Sequence, residues 1–199
     1  MDTMWLLTTL TYLIPPTLVV VGLTLWFASR RRKITHLDEW WGWLGPGSTW
    51  QGNGRAFAGT VDGRRVKVTW FDSTTTITVA GHPAVRAGFG RRDRPTQVVD
   101  EANDGGKKVT VDTEHVGFGE TRGDVKALVS RPEVKPALDV LLAEDERSIR
   151  SVDVEPATGV VWFARNIREL DLTPDRTRQW VDAVVAVARA AESTPHPAK

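Results

Sequence analysis

Side chains able to do acid, base or metal chemistry are few in this sequence and poorly spaced for it. The four histidines are His36, His82, His115 and His196, and none stands three or four residues from another, so no local helical spacing pairs two imidazoles. Glu114 and His115 are adjacent at the end of an expected strand, where neighbouring side chains point to opposite faces, so no relay between them is expected. The absence of cysteine excludes thiolate zinc sites, disulfide frameworks and cysteine nucleophiles. Asp100, Asn103, Asp104 and Gly105 cluster like the start of a calcium loop. Ala102 then occupies the third ligand position and Val111 the twelfth, where a bidentate glutamate belongs. Gly88-Phe89-Gly90 and Gly117-Phe118-Gly119 lack the strand-to-helix setting and the Lys-Ser/Thr of a phosphate loop, and read as turns. Arg122-Gly123-Asp124 has the adhesion tripeptide but is expected on the cytoplasmic side, and no serine occupies a nucleophile elbow. No catalytic residue, metal ligand or cofactor is expected from these motifs.

Charge narrows the partners. The chain carries 26 Lys+Arg against 25 Asp+Glu. Four of the basic residues are Arg30, Arg31, Arg32 and Lys33, and one acid is Asp2, so from Ile34 onward 22 basic residues face 24 acidic ones, a balance of −2. That is not the basic domain a nucleic-acid binder needs.

The elements that would position any site begin with an uncharged run of 25 residues, 4–28. As a helix rising about 1.5 Å per residue, it reaches past a hydrocarbon core of roughly 30 Å. Asp2 in place of a basic leader, and the length of the run, predict an uncleaved anchor rather than a signal peptide. Trp5 and Tyr12 near one end, and Trp26 and Phe27 at the other, have the placement of interfacial aromatic belts, and Pro15-Pro16 predicts a kink between them. Arg30, Arg31, Arg32 and Lys33 follow on one side only. They predict a membrane-surface charge cluster with the C-terminal portion in the cytoplasm.

Six of the nine tryptophans fall within the first 50 residues. Leu37, Trp40, Trp41 and Leu44 stand at i, i+3, i+4 and i+7, forming one apolar stripe on a short helix. Asp38 and Glu39 lie in its first turn, where the helix dipole favours acids. Trp43 and Trp50 extend the aromatic cluster. The stripe fits either a headgroup layer or a protein surface, the latter being the soluble domain itself or another membrane subunit. Leu37, Trp40, Trp41, Trp43, Leu44 and Trp50 are therefore the expected partner- or membrane-interface residues. Gly45-Pro46-Gly47-Ser48, with Gly52 and Gly54, ends this collar as a linker.

From Arg55 the pattern is that of an α+β domain with an antiparallel sheet and helices on one face. Phe57, Gly59 and Val61 alternate before an Asp62-Gly63 turn, and Val66, Val68 and Trp70 alternate after it, predicting a hairpin. Ile77 and Val79 mark a third strand, residues 85–89 a weaker one, residues 90–106 a long loop, and residues 108–112 a further strand. Val125, Leu128 and Val129 open the helical part, and Ser130 and Glu133 have capping-box spacing ahead of Val134, Leu138, Leu141 and Leu142. Ile149, Val152 and Val154 predict a strand with a bulge, and residues 160–164 its partner. Thr173-Pro174 starts a last helix bearing Trp180, Val184, Val187, Ala188 and Ala191. The strand-rich start and the tryptophan-bearing final helix resemble a pleckstrin-homology barrel in architecture, but the helix between Asp124 and Ala143 interrupts that pattern, so no family is assigned.

The organisation expected is a transmembrane anchor with its basic stop (1–33), the collar and linker (34–54), a soluble domain (55–192) and a disordered tail (193–199). Arginine outnumbers lysine 19 to 7, the usage of a GC-rich prokaryotic genome, which places the anchor in a plasma membrane. The function expected is that of a membrane-anchored, non-enzymatic interaction module, an accessory subunit whose partners are the lipid bilayer and another membrane protein. Two alternatives remain. One is a membrane-proximal domain holding a lipid or small apolar ligand in an apolar cavity of roughly 300 Å³ or more. The other is an enzyme whose residues converge from distant positions.

Overall fold

The computed structural model describes residues 18–26, 28, 36–47, 54–71, 73–93, 107–143, 148–167 and 172–195. The chain divides into two compact units, Met1–Glu39 and Trp40–Lys199.

In the first unit, α1 (residues 18–26) is helical and presents Leu18, Leu23 and Leu25 exposed. Among the described residues no helix is long and apolar enough to cross a membrane. Residues 4–17 of the expected span, and Arg30, Arg31, Arg32 and Lys33, lie outside the described residues. A second helix, α2 (residues 36–41), contributes His36, Leu37, Asp38 and Glu39 to this unit.

The second unit is an α+β domain built on eight antiparallel strands in the order β1-β2-β3-β8-β7-β4-β6-β5. Alternation writes the first three strands: β1 (Gly54–Val61), β2 (Arg64–Phe71) and β3 (Thr74–Val79). Phe57, Val66, Val68, Trp70, Ile77 and Val79 are buried on one face. Asp62 and Gly63 both have positive φ, 51° and 76°, the geometry of a two-residue turn whose twist matches its strands. The sheet does not close into a barrel, because β1 and β5 each have a single neighbour.

Beyond β3 the two glycine-flanked phenylalanines depart from expectation. Gly88-Phe89-Gly90 and Gly117-Phe118-Gly119 are not turns but the bodies of β4 (Ala87–Arg91) and β6 (His115–Gly119), paired with each other and almost wholly buried. The reason is close packing. A Cβ at Gly117 would stand 2.6 Å from Val125 Cγ1 and 3.2 Å from the Phe89 ring, and one at Gly119 would stand 2.8 Å from Val125 Cγ2. Glycine lets α3 (Arg122–Val129) lie directly on β6. The short β5 (Lys107–Thr110) takes the outer edge beyond β6, with Val109 inward.

The capping box also fails. Ser130 closes α3, its hydroxyl donating to the Ala127 carbonyl, and Glu133 makes no side-chain cap for α4 (Val134–Leu141). Pro136 lies in the first turn of α4, where its missing N–H has no intrahelical acceptor to lose. The β7 strand (Ile149–Glu155) has no bulge, because it pairs residue for residue with β8 (Gly159–Arg165). The apolar phase slips because Ile149 is 39% exposed on the other face, while Arg150 takes the inward position beside Val152 and Val154. The last helix, α5 (Pro174–Ser193), forms as expected. Thr173 caps it by accepting from the Arg176 N–H, and Trp180, Val184, Val187, Ala188 and Ala191 are buried. Order extends beyond the expected boundary at 193, because Thr194 is buried and donates to the Ala190 carbonyl.

All three helices of this unit lie on the inward face. Val125 of α3 meets Gly117, the Leu141 carbonyl of α4 accepts from Trp162 Nε1 at 2.9 Å, and Trp180 of α5 stacks 5.1 Å from Trp162.

Candidate functional site

The expected interface residues come first. In the second unit Trp41 is fully buried and Trp40 and Leu44 nearly so. Trp41 lies 6.5 Å from the Trp180 ring, and Trp40 lies 6.0 Å from Trp70 on β2. The Leu44 carbonyl packs so closely on Gly59 that any Cβ there would overlap it. A polar seam fixes the contact. Thr177, fully buried on α5, donates to the Trp40 carbonyl at 2.6 Å and accepts from Trp43 Nε1 at 3.0 Å, while Arg178 lies over the half-buried Trp43 ring. Trp40, Trp41 and Leu44 are therefore core residues and present no free stripe. The compact unit that holds the sheet starts at Trp40, ahead of the expected Arg55, and within it Trp40, Trp41 and Leu44 pack on Trp70, Trp180 and Gly59. Leu37, which belongs to the first unit, is buried, and Trp50 lies outside the described residues.

Large apolar side chains exposed in the second unit are instead Phe71, 55% exposed, and Ile149. They belong to one row, Phe71–Thr74–Arg165–Ile149, set by strand register, on the sheet face opposite the described helices α3, α4 and α5.

Between α4 and the first turns of α5 runs an open groove of about 670 Å³. Val140, Ala143 and Trp180 form its apolar wall, and Asp139, Thr173, Asp175, Arg176 and Gln179 supply polar groups. Arg176 lies over the Trp180 ring, 5.7 Å from its centroid.

At one margin of this groove the sheet brings together residues that are far apart in sequence. Asp112 sits in the tight β5–β6 turn, where its Oδ1 accepts from the Glu114 and His115 backbone N–H groups, each at 2.8 Å. Its Oδ2 lies 3.1 Å from His115 Nδ1. His115, the first residue of β6, is 3% exposed on the inward face, and its Nδ1 also lies 3.8 Å from Asp139 Oδ1 on α4. Lys135, one turn earlier on α4, places Nζ 3.9 Å from Asp112 Oδ2. Burial works to raise the Asp112 carboxyl, but the His115 hydrogen bond and the two backbone N–H groups outweigh it and hold the group below the usual aspartate range. The Glu114 side chain takes no part, as its alternation with His115 dictates. The signal that could have pointed here is Asp112 three residues before His115 across a strand end, a spacing that a search for histidine pairs passes over.

A second charged contact ties β2 to α5. Arg64 makes a bidentate pair with Glu192, at 2.6 and 2.7 Å. The guanidinium hydrogen bonds hold the Glu192 carboxyl below its ordinary range, outweighing the burial that would raise it.

The fold and sites thus define an α+β domain with a helix-covered antiparallel sheet and an Asp–His–Asp cluster at one helix margin. No family model matches this chain, and neither does any curated protein or solved structure.

Proposed function

We propose that this chain is a membrane-anchored, non-enzymatic interaction module, single-pass in a prokaryotic plasma membrane, with its α+β domain on the cytoplasmic side as an accessory subunit of a membrane protein complex. The observation that carries the proposal is the uncharged run 4–28 followed at once by Arg30, Arg31, Arg32 and Lys33. Such a run suits a hydrocarbon core, and the one-sided basic stop suits retention inside. The partner surface is the row bearing Phe71 and Ile149, because Trp40, Trp41 and Leu44 of the collar are core. Two exposed apolar side chains in one row with Arg165, Ile149 beside it and Phe71 beyond Thr74, suit the aromatic, arginine-rich centre of a protein interface. The polar groups that line the groove do not favour the apolar-ligand alternative.

Carbonate extraction of cell membranes should leave the chain in the pellet, and protease added to spheroplasts should spare the domain. Extraction into the supernatant refutes the anchor, and digestion refutes the orientation. Cross-linking in membranes followed by mass spectrometry should capture one membrane-protein partner, lost in Phe71→Asp/Ile149→Asp while thermal unfolding stays cooperative. Capture that survives this double variant refutes the surface.

A further inference from the structure

The interaction module makes no use of the cluster at the β5–β6 turn, yet that cluster has the composition and dimensions of a metal site. We propose that Asp112, His115 and Asp139 bind a divalent transition-metal ion of the zinc class.

The ligand atoms are His115 Nδ1, Asp112 Oδ2 and Asp139 Oδ1, all within 4.8 Å of one another. Around a tetrahedral ion with bonds of about 2.0–2.2 Å, donor atoms lie about 3.3–3.6 Å apart. The observed separations from Nδ1, 3.1 and 3.8 Å, bracket that range. Side-chain shifts of a few tenths of an ångström therefore bring each carboxylate to a tetrahedral separation from Nδ1, and the exposed Asp139 side chain is the one placed to adjust toward Asp112.

Two of the three ligands are already held in place. His115 is fixed by burial in β6, and Asp112 has its other oxygen engaged by two backbone N–H groups, which leaves Oδ2 turned toward the imidazole. This is the outer-shell support that orients metal-binding carboxylates. The donor set decides the class of ion. One imidazole nitrogen with two carboxylates suits zinc and its first-row neighbours, whereas calcium and magnesium call for oxygen ligands throughout.

Charge points the same way. Two carboxylates converge on one imidazole, whose Nδ1–H can satisfy only one of them when neutral. Lys135 reaches Asp112 on a long stem, 59% exposed, and balances part of this charge. A bound cation would displace its ammonium, so Lys135 is a competitor of the ion. Asp139 is 55% exposed and lines the groove, so the remaining coordination position would open to solvent on that side.

The test uses the full chain in detergent, purified without a histidine tag and stripped with chelator. Titration with Co²⁺, followed by visible absorption and calorimetry, should give one ion per chain with the d–d bands of low coordination, and Zn²⁺ should bleach them. Asp139→Asn, on an exposed helix face, should keep the fold and weaken Co²⁺ binding by at least about tenfold, a loss that even supporting groups can cause. Lys135→Ala should strengthen binding, and Glu120→Gln, exposed just past the far end of β6 from His115, should leave binding unchanged. His115→Ala should abolish binding. If that buried substitution prevents folding, Asp139→Asn and Lys135→Ala still decide. Absence of Co²⁺ bands, or binding indifferent to both Asp139 and Lys135, overturns the proposal.

Discussion

Trp41 shows how far a single side chain can be read from sequence. Its stripe with Leu37, Trp40 and Leu44 is plain in the spacing, but the same stripe would serve against lipid, a partner or the chain's own sheet. Amphipathicity states how much surface must be covered and is silent on what covers it. The Asp112–His115 contact was hidden for a different reason: it depends on a turn that bends residue 112 back onto residue 115, and on α4 arriving from elsewhere. Trp41→Ala should cost about 3–5 kcal/mol in urea unfolding, as expected for a fully buried aromatic. Trp41→Phe should cost clearly less, because the buried indole N–H has no acceptor among the described residues and its removal relieves a desolvation penalty. Glu192 supplies the pH dependence. Its folded-state carboxyl titrates below its unfolded value, so its pairing with Arg64 stabilises the fold above the ordinary glutamate range and is lost as pH falls through the depressed value. Glu192→Gln should therefore be less stable than the parent at neutral pH, with the difference vanishing in strong acid, as followed by thermal unfolding across a pH series.

Elements were legible where alternation and turn chemistry agreed. β1, β2 and β3 follow from Phe57, Val66, Val68, Ile77 and Val79 around Asp62-Gly63, and α5 follows from its Thr173-Pro174 start. β4 was legible only as a weaker strand over 85–89 and β6 not at all, because the glycines that read as punctuation are there to admit a helix and a phenyl ring. Gly117→Ala should lose about 1–3 kcal/mol by driving its Cβ into Val125. Adding Val125→Ala should return part of that loss, which a double-mutant cycle would show as a coupling between the two sites. Trp40 and Trp41 were legible as helical but not as part of the domain. Removing residues 1–52 takes away Trp40, Trp41, Trp43 and Leu44 and uncovers Trp70 and Trp180. A chain truncated to start at Asn53 should lose cooperative unfolding and bind a hydrophobic dye, while one starting at Thr35 should not.

For the whole molecule, composition and the order of elements gave the α+β class, but strand order had no local signature. The hairpin of β7 and β8 is made late in the chain and inserted between β3 and β4, which are consecutive in sequence yet two strands apart in the sheet. Pairing of this kind is chosen by complementarity between distant faces, which no window of residues contains. The insertion also sets an order of events during synthesis. Until Arg165 has left the ribosome, the edges of β3 and β4 that will face β8 and β7 are open ladders on two unfinished halves, templates for wrong pairing. Nascent chains arrested with residues up to 148 exposed should be cut readily by protease, and those arrested with residue 195 exposed should resist it. The hairpin of β7 and β8, in the last quarter of the chain, is thus the clasp that joins two earlier half-sheets, and a newborn molecule carries two open edges until that clasp arrives.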